Sequence, residues 1–392
     1  MKRLRAALIG CGRISKKHIE AFVSNKDLVD LVAVCDIVPE KAHEAAEAYQ
    51  KLREVEMNGR EKQTRDSTDY SDLPLSRQPV SSLSPTSRES SPDPIPHTPY
   101  PAKPEVVTDY RRLCDSDIDF VSIATESGKH YQISMDFLKA GKHVLVEKPM
   151  AMNLEQADHM IEQADKSRVK LGVVLQNRFN PPIVELRKKV EDGSFGRIFN
   201  VTARILWNRN EAYYKQASWR GTWESDGGAL LNQCSHNIDL LQWMLNDRIK
   251  SVYAVTKNFN HPYIETEDFG AAIVETESGR IGIVEGTVNV FPKNLEETLS
   301  VFGEKGTVVI GGVAVNRIQT WKFEGEEEHP LMHLPDPETV YGNGHNTQIR
   351  DFVLALFQDR NPSTSGEEGR KSLEAILTMH KASKTKTRVD LP

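Results

Sequence analysis

The sequence LRAALIGCGRIS at residues 4–15 decides the fold of this chain. Residues 4–9 have the apolar character of a buried strand, Gly10 and Gly12 form a Gly-x-Gly turn, and residues 16–24 are helical in composition. The glycines allow a tight turn and the close approach of a pyrophosphate, while the start of the helix supplies N–H groups and a positive dipole. This stretch predicts the first strand, turn and helix of a doubly wound, dinucleotide-binding sheet.

The next strand ends in an acidic residue, Asp36, about 24 residues after Gly12, where such sheets place the acid that binds the ribose hydroxyls. A carboxylate there repels a 2′-phosphate, and no arginine follows it directly, because residues 37–39 read IVP. The sequence therefore predicts NAD rather than NADP. The alternative is that the glycine turn and the acid have only a structural role in an α/β unit. The residues expected at the cofactor here are Gly10, Gly12, Arg13, Ile14 and Asp36.

Residues 58–104 interrupt this pattern and are predicted to be a disordered Pro/Ser-rich insertion between the second helix and the third strand. Residues 64–104 contain nine of the chain's 20 prolines and nine serines. A segment of this composition cannot bury enough apolar surface to offset the entropy lost on ordering. A solvated linker is the simplest role for it, and phosphorylation or partner docking through its Ser-Pro and Thr-Pro steps is the alternative.

Two later strands also end in polar residues. Residues 119–125 form a buried strand that runs into Thr-Glu-Ser-Gly-Lys-His, and AGKHVLVEKPM at residues 140–150 forms another, with a Glu-Lys pair at its end. Ligands of open parallel sheets bind in the crevice outside these carboxyl ends. A Glu-Lys-Pro triplet alone is usually a surface pair before a turn, but in this chain we expect a place beside the cofactor for Thr125, His130, Glu147 and Lys148.

The chain divides into two predicted domains, as its length of 392 residues also suggests. Residues 1–150 form the NAD-binding Rossmann domain with its doubly wound parallel sheet, and the fold class is α/β. In residues 151–392 the apolar pattern changes to a period of two, which indicates an α+β domain with a large, mostly antiparallel sheet. This second domain is expected to bind the substrate and to mediate oligomerisation, and its C-terminal helix to pack back on the Rossmann domain.

Polar side chains of the second domain supply the remaining candidates. A helix expected from about Gly228 places Asn232 and His236 four residues apart on one face. Arginines can clamp a carboxylate or a pyrophosphate, although those at strand and loop ends are often structural. The candidates for substrate binding are Asn232, Arg178, Arg220 and Gln176.

Composition limits the partners and the compartment. The formal net charge of -6 and the pI near 6.1 give no reason to expect nucleic acid or an anionic membrane as a partner. No stretch reaches the roughly 18 apolar residues of a membrane span. The four cysteines show neither a CxxC pair nor metal spacing with histidine, so we expect free thiols, no metal site and a cytoplasmic location.

Four features together resemble one family, the Gfo/Idh/MocA oxidoreductases, named for glucose-fructose oxidoreductase and inositol dehydrogenase. They are GCGRI at residues 10–14, the strand end at Asp36, AGKHVLVEKP at residues 140–149 and GGxxxNxxxH at residues 227–236. The resemblance covers the whole chain except the insertion. It implies an NAD-dependent dehydrogenase that acts on a CH–OH group of a sugar.

The resemblance also implies roles for individual residues. Lys148 matches the catalytic lysine and His236 the histidine credited with acid/base work on the sugar hydroxyl, and which of them takes the proton is left open. The bond before Pro149 is implied to be cis. Many relatives have Asp where this chain has Asn232, so the basicity of His236 should be lower here, and Glu126 stands where proline is common. The family commonly forms dimers and tetramers through its C-terminal sheet.

Three stretches look most like the UDP-N-acetylglucosaminuronate 3-dehydrogenases of cell-surface polysaccharide biosynthesis: WRGTW at residues 219–223, DGGALLNQCSHNIDLLQW at 226–243 and GEEGRK at 366–371. The first hypothesis is therefore NAD-dependent oxidation of the C3 hydroxyl of this nucleotide sugar to the 3-keto sugar, by a homodimer or homotetramer. The second keeps the chemistry but takes an inositol or a simple sugar as substrate. The third is a non-catalytic NAD-binding sensor or scaffold, and the presence of Lys148 counts against it.

Overall fold

The structure is a computed structural model and describes residues 2–60, 103–312, 314–326, 329–333, 342 and 344–391, with only the backbone of residues 56–60. Residues 61–102, most of the insertion expected at 58–104, lie outside the described residues.

The first sheet contains six parallel strands. They are β1 (Leu4–Ile9), β2 (Val29–Cys35), β3 (Glu105–Val107), β4 (Phe120–Ile123), β5 (His143–Glu147) and β6 (Leu171–Val174), in the order β3-β2-β1-β4-β5-β6. The helices between them are α1 (Ser15–Ser24), α2 (Pro39–Arg60), α3 (His130–Lys139) and α4 (Leu154–Ser167). The predicted doubly wound sheet is confirmed. It extends past residue 150, because α4 crosses back and adds β6 beside β5.

The second sheet contains eight strands. They are β7 (Ile198–Leu206), β8 (Ile249–Lys257), β9 (Phe269–Thr276), β10 (Ile281–Thr287), β11 (Glu296–Gly303), β12 (Gly306–Gly311), β13 (Arg317–Phe323) and β14 (Val389–Asp390), in the order β13-β12-β11-β7-β10-β9-β8-β14. Neighbouring strands are antiparallel except β7 and β10, which are parallel, so the predicted mostly antiparallel sheet is confirmed. The helices of this half are α5 (Pro181–Glu191), α6 (Glu211–Tyr214), α7 (Ser235–Leu245), α8 (Gly344–Phe357) and α9 (Gly366–Thr385).

Among the described residues, helices cover one face of the second sheet. Along β8, Val252 and Ala254 are buried while Tyr253 and Val255 are exposed, as the period of two requires. The buried face packs against α7 and α9. The opposite face leaves apolar side chains at the surface.

The last two helices return to the first sheet. Helix α8 packs along α1, where Asn25 Nδ2 donates a 2.9 Å hydrogen bond to the carbonyl of Asn346. Helix α9 packs on β8 and α7 and also on α4 and β6, with Gly369 against Val173. The carboxyl ends of the first sheet therefore open toward the second sheet. No helix among the described residues is long and apolar enough to cross a membrane.

Candidate active site

The glycine-rich turn lies directly beside the end of β4. Gly10 has a φ of +93°, and a Cβ atom there would lie 2.7 Å from the backbone of Ala124, so only glycine fits. At Gly12 the corresponding position has no atom within 4 Å, which leaves room for a phosphate group. Helix α1 begins at Ser15 without a side-chain cap, and the positive end of its dipole there favours an anion.

Asp36 is held beside this turn by two backbone N–H groups. Cys11 N donates to Oδ2 at 2.8 Å and Val38 N donates to Oδ1 at 2.9 Å. A carboxylate has further lone pairs, which remain for ribose hydroxyls. The turn, with Arg13 and Ile14 in it, and the carboxylate therefore fit the pyrophosphate and adenosine of NAD.

His130 is not available to a cofactor, contrary to our expectation. It is 1% exposed, and its ring nitrogens lie 2.7 Å from the carbonyl oxygen of Pro149 and 3.2 Å from that of Thr125. Burial lowers the pKa of His130. Its side chain ties the loop after β4 to the loop after β5, which is a structural role. The Lys148–Pro149 peptide is cis, as the family resemblance implied.

Glu147 also points inward rather than toward a cofactor. Its carboxylate lies 2.9 Å from Nε2 of His18, whose Nδ1 lies 2.9 Å from Ser122 Oγ, and 4.0 Å from Nε2 of His345. Burial alone would raise the pKa of Glu147, but the hydrogen bond and charge of His18 lower it to about 2. The described part of the chain contains one group of side chains whose potential metal-ligand atoms all lie within 4.8 Å of one another. It consists of His18, Glu147 and His345. Two of them already bond to each other, so we interpret the group as a clamp on the end of β5.

Lys148 reaches across to the second half of the chain. Its Nζ donates a 2.5 Å hydrogen bond to the main-chain oxygen of Asn232. Burial lowers the pKa of the Lys148 ammonium, and the adjacent Glu147 carboxylate opposes that effect. The Lys148 ammonium therefore connects the end of β5 to the segment before α7.

The segment before α7 is not the α-helix that we expected from Gly228. Residues 229–233 form a π-helical turn, and α7 begins only at Ser235. Gly227 and Gly228 have φ values of +74° and +88°, which a right-handed helix cannot include, so the helical segment begins only after them. The prediction of a single helix from Gly228 was wrong, since a π turn precedes α7.

The π turn gives Asn232 two functions at once. Its carbonyl faces Lys148, while its side-chain Nδ2 donates to the Asp226 carboxylate and its Oδ1 accepts from Gln233 Nε2 at 2.7 Å. Burial raises the pKa of Asp226 to about 6. The amide thus binds a buried acid in addition to bordering the site.

His236 lies at the start of α7, with its Nε2 3.1 Å from Nε2 of Gln176. Burial, followed by the positive charge of Lys148, lowers the pKa of His236 well below its usual range. The imidazole is therefore neutral and able to accept a proton. The sequence predicted a lower basicity of His236 because Asn232 replaces an aspartate. In the structure, burial and the charge of Lys148 lower the pKa of His236.

Arg178 does not face this site. Its Nε and Nη2 bond to Asp239 at 2.7 and 2.6 Å, and its Nη1 bonds to Glu368 at 2.7 Å. It lines a cavity of about 710 Å³ between α7 and α9, whose walls include neither Lys148 nor His236. The guanidinium is fully engaged in ion pairs, so we do not retain it as a substrate ligand.

Arginines surround Tyr213, at the border of the site. The guanidinium carbons of Arg220, Arg209 and Arg13 lie 4.2, 5.1 and 6.0 Å from its ring centre. Its hydroxyl accepts a hydrogen bond from Nε2 of Gln233, next to Asn232, at 2.9 Å. Sequence reasoning found two of these arginines and missed Arg209 and Tyr213, although the aromatic and basic run that follows β7 was a usable signal.

Two family models match the chain. One is described as an oxidoreductase family with an NAD-binding Rossmann fold and matches residues 4–57 and 98–175. The other is described as the GFO/IDH/MocA C-terminal domain and matches residues 183–309.

Solved structures and a curated relative are similar over nearly the whole chain. The WlbA dehydrogenase of Bordetella pertussis, in complex with NADH and UDP-GlcNAcA, is 32% identical with a TM-score of 0.77, covering 100% of this chain and 99% of that one. The WlbA dehydrogenase of Chromobacterium violaceum, with the same ligands, is 34% identical with a TM-score of 0.77, covering 100% and 97%. An inositol 2-dehydrogenase of Rhizobium meliloti (strain 1021) is 24% identical, covering 94% of each chain.

Proposed function

Because the chain belongs to the Gfo/Idh/MocA oxidoreductases and is an NAD-dependent sugar or polyol dehydrogenase, we propose that it oxidises the C3 hydroxyl of UDP-N-acetylglucosaminuronic acid to the 3-keto sugar. The observation that carries this choice is the set of arginines around Tyr213. The hydroxyl of Tyr213 is bonded to Gln233, next to the residue, Asn232, whose carbonyl binds Lys148. The nucleotide sugar brings a pyrophosphate and a carboxylate, which guanidinium groups bind well. An inositol or a simple sugar is neutral and has no charged group that these arginines could bind.

The glycine-rich turn and Asp36 would hold NAD, which would supply the hydride acceptor for C3 of the sugar. The Lys148 ammonium, positioned by the carbonyl of Asn232, donates a hydrogen bond to the C3 oxygen and stabilises its negative charge. His236 is neutral in the free protein and takes the hydroxyl proton. The negative charge of the substrate raises the pKa of His236 toward the range in which a base works best.

A comparison of substrates tests the proposal. With NAD, the UDP-linked uronic acid should give NADH absorbance and a product with the mass of the keto sugar. UDP-N-acetylglucosamine, which lacks the carboxylate, and myo-inositol should give far lower kcat/KM. Turnover of myo-inositol without turnover of the nucleotide sugar would show that the substrate is a polyol.

Replacing Arg220 by Gln should raise the KM for the nucleotide sugar about ten- to a hundredfold, since one charge-assisted hydrogen bond contributes about 1.5–3 kcal/mol. The affinity for NAD, measured by fluorescence titration, should stay the same. Arg197→Gln is the matched control, because Arg197 also stacks on an aromatic ring, that of Phe199 at 5.1 Å, outside the site. Equal KM values for the two variants would show that Arg220 does not bind the nucleotide sugar.

We further propose that the chain forms a homodimer or homotetramer through the exposed face of the second sheet. Tyr253 pairs across the strands with Ile273, and Ile273 with Ile283, and these side chains are 48%, 53% and 40% exposed. An apolar patch of this kind marks an interaction surface. Ile273→Glu should shift the protein to smaller species in analytical ultracentrifugation, whereas Val55→Glu on α2 should not. A wild type that sediments as a monomer would refute the proposal.

A further inference from the structure

Buried polar atoms without hydrogen-bond partners gather on the segments that hold His236. Among the described residues they are Gln176 Oε1, Asn177 Oδ1, Ser235 Oγ, His236 Nδ1, Asn237 Nδ2 and Glu297 Oε2. They belong to the turn after β6, the start of α7 and strand β11. Buried polar groups are nearly always bonded, so such a concentration requires an explanation.

Glu297 and Asn177 explain two of these atoms together. Glu297 is 2% exposed, and its Oε1 accepts a long hydrogen bond of 3.4 Å from Asn177 Nδ2. The second oxygen of the acid, Oε2, and the oxygen of the amide, Oδ1, have no partner. Two acceptors cannot bond to each other unless one carries a proton, and a carboxyl group can carry it.

We propose that Glu297 is a neutral carboxylic acid in the folded protein, that its Oε2–H donates to Asn177 Oδ1, and that this acid–amide pair positions Gln176 and His236. Asn177 directly follows Gln176, whose amide lies 3.1 Å from His236. Glu297 is thus a positioning residue and does not touch the sugar. Its effect on catalysis, but not its protonation, rests on the proposed function of His236.

The surroundings of Glu297 agree with a neutral acid. Burial raises the pKa of Glu297 to about 8, and the Asn237 and Asn177 amides, followed by the positive charges of Lys148 and Arg209, lower it only in part. The Cys234 thiol also interacts with Glu297, and burial keeps that thiol protonated by raising its pKa.

The protonation is tested without substrate by measuring urea unfolding of the full chain from pH 5 to 8. Glu297 has a higher pKa when folded than its ordinary value of 4.5, so unfolding releases a proton in this window and rising pH favours the unfolded state. The unfolding constant of the wild type should rise up to about tenfold per pH unit relative to Glu297→Gln, which cannot ionise. Equal slopes for the two proteins would refute a neutral Glu297.

Glu296→Gln is the matched control, because Glu296, the neighbour of Glu297 in β11, pairs with Arg204. This variant should leave the pH slope as it is in the wild type. If Glu297→Gln does not fold, proton release by the wild type on unfolding, followed in a pH-stat at pH 7, answers the same question. The proposal would be overturned if unfolding of the wild type at pH 7 released no more protons than a protein whose carboxylates are all ionised when folded.

Positioning is tested by kinetics with the nucleotide sugar. Asn177→Leu and Glu297→Leu should each lower kcat at least tenfold with unchanged NAD affinity, and Glu297→Gln, which can keep both bonds to Asn177, should recover most of the loss. A Glu297→Gln variant no better than Glu297→Leu would exclude the paired arrangement. Absence of turnover in the wild type would instead count against the proposed function, and the unfolding result would still stand.

Discussion

Replacing Lys148 by Met should lower kcat about a thousandfold, because the variant loses the cation that the proposal assigns to the developing negative charge on the C3 oxygen. Methionine keeps the length and apolar volume of the stem, so NAD affinity and the midpoint of thermal unfolding should change little. The measurement is kcat by NADH absorbance, with NAD affinity by fluorescence titration. Lys142→Met is the matched control, since Lys142 stands just before β5 and also donates to a carbonyl, that of Ser116, at 2.7 Å.

The same lysine predicts the alkaline side of the pH profile. Burial lowers the pKa of Lys148, so the ammonium loses its proton below the ordinary value of 10.5. In the wild type, kcat/KM, which reports the free enzyme, should therefore fall as pH rises through a value below 10.5, and the fall should be absent in Lys148→Met. A Lys148→Met variant that keeps wild-type kcat would show that Lys148 does not stabilise the C3 oxygen.

Replacing His236 by Gln should lower kcat about a hundred- to ten-thousandfold, the usual contribution of a positioned general base. Glutamine can still bond to Gln176 but cannot accept the sugar proton. Since burial and Lys148 lower the pKa of His236 in the free protein, the wild-type kcat/KM, which reports the free enzyme, should fall toward acid only below pH 6.5, and this acid limb should vanish in the variant. His380→Gln is the control. His380 lies on α9, and its Nε2 is 3.1 Å from Oε1 of Glu267.

These two variants also identify the base. If the acid limb disappears in His236→Gln and persists in Lys148→Met, the histidine takes the proton. The reverse result would assign the proton to Lys148 and leave His236 as the group that orients the sugar.

The fold followed from local patterns because its signals are short in range. The turn at residues 10–12, the strand that ends before Asp36 and the strand that ends at Glu147 each depend on a few consecutive residues. The change of period after residue 150 in the same way predicted a second, mostly antiparallel sheet. What the pattern did not predict was where the first sheet ends, since β6 is added only after α4 crosses back.

The candidate site was harder to predict because its polar side chains are directed by distant partners. Arg178 turns toward Asp239 and Glu368, and Glu147 toward His18 and a helix near the C-terminus. No spacing in the sequence brings these pairs together. Long-range packing decides whether a polar residue at a strand end faces a ligand or completes an internal ion pair.

Arg13 has a consequence for how the two ligands bind. It lies in the glycine-rich turn, yet its guanidinium donates to the side chain of Gln216 and approaches the ring of Tyr213. A ligand that orders either side of this contact also orders the other. The nucleotide sugar and NAD should therefore bind with positive cooperativity, and each should strengthen the binding of the other by the same factor.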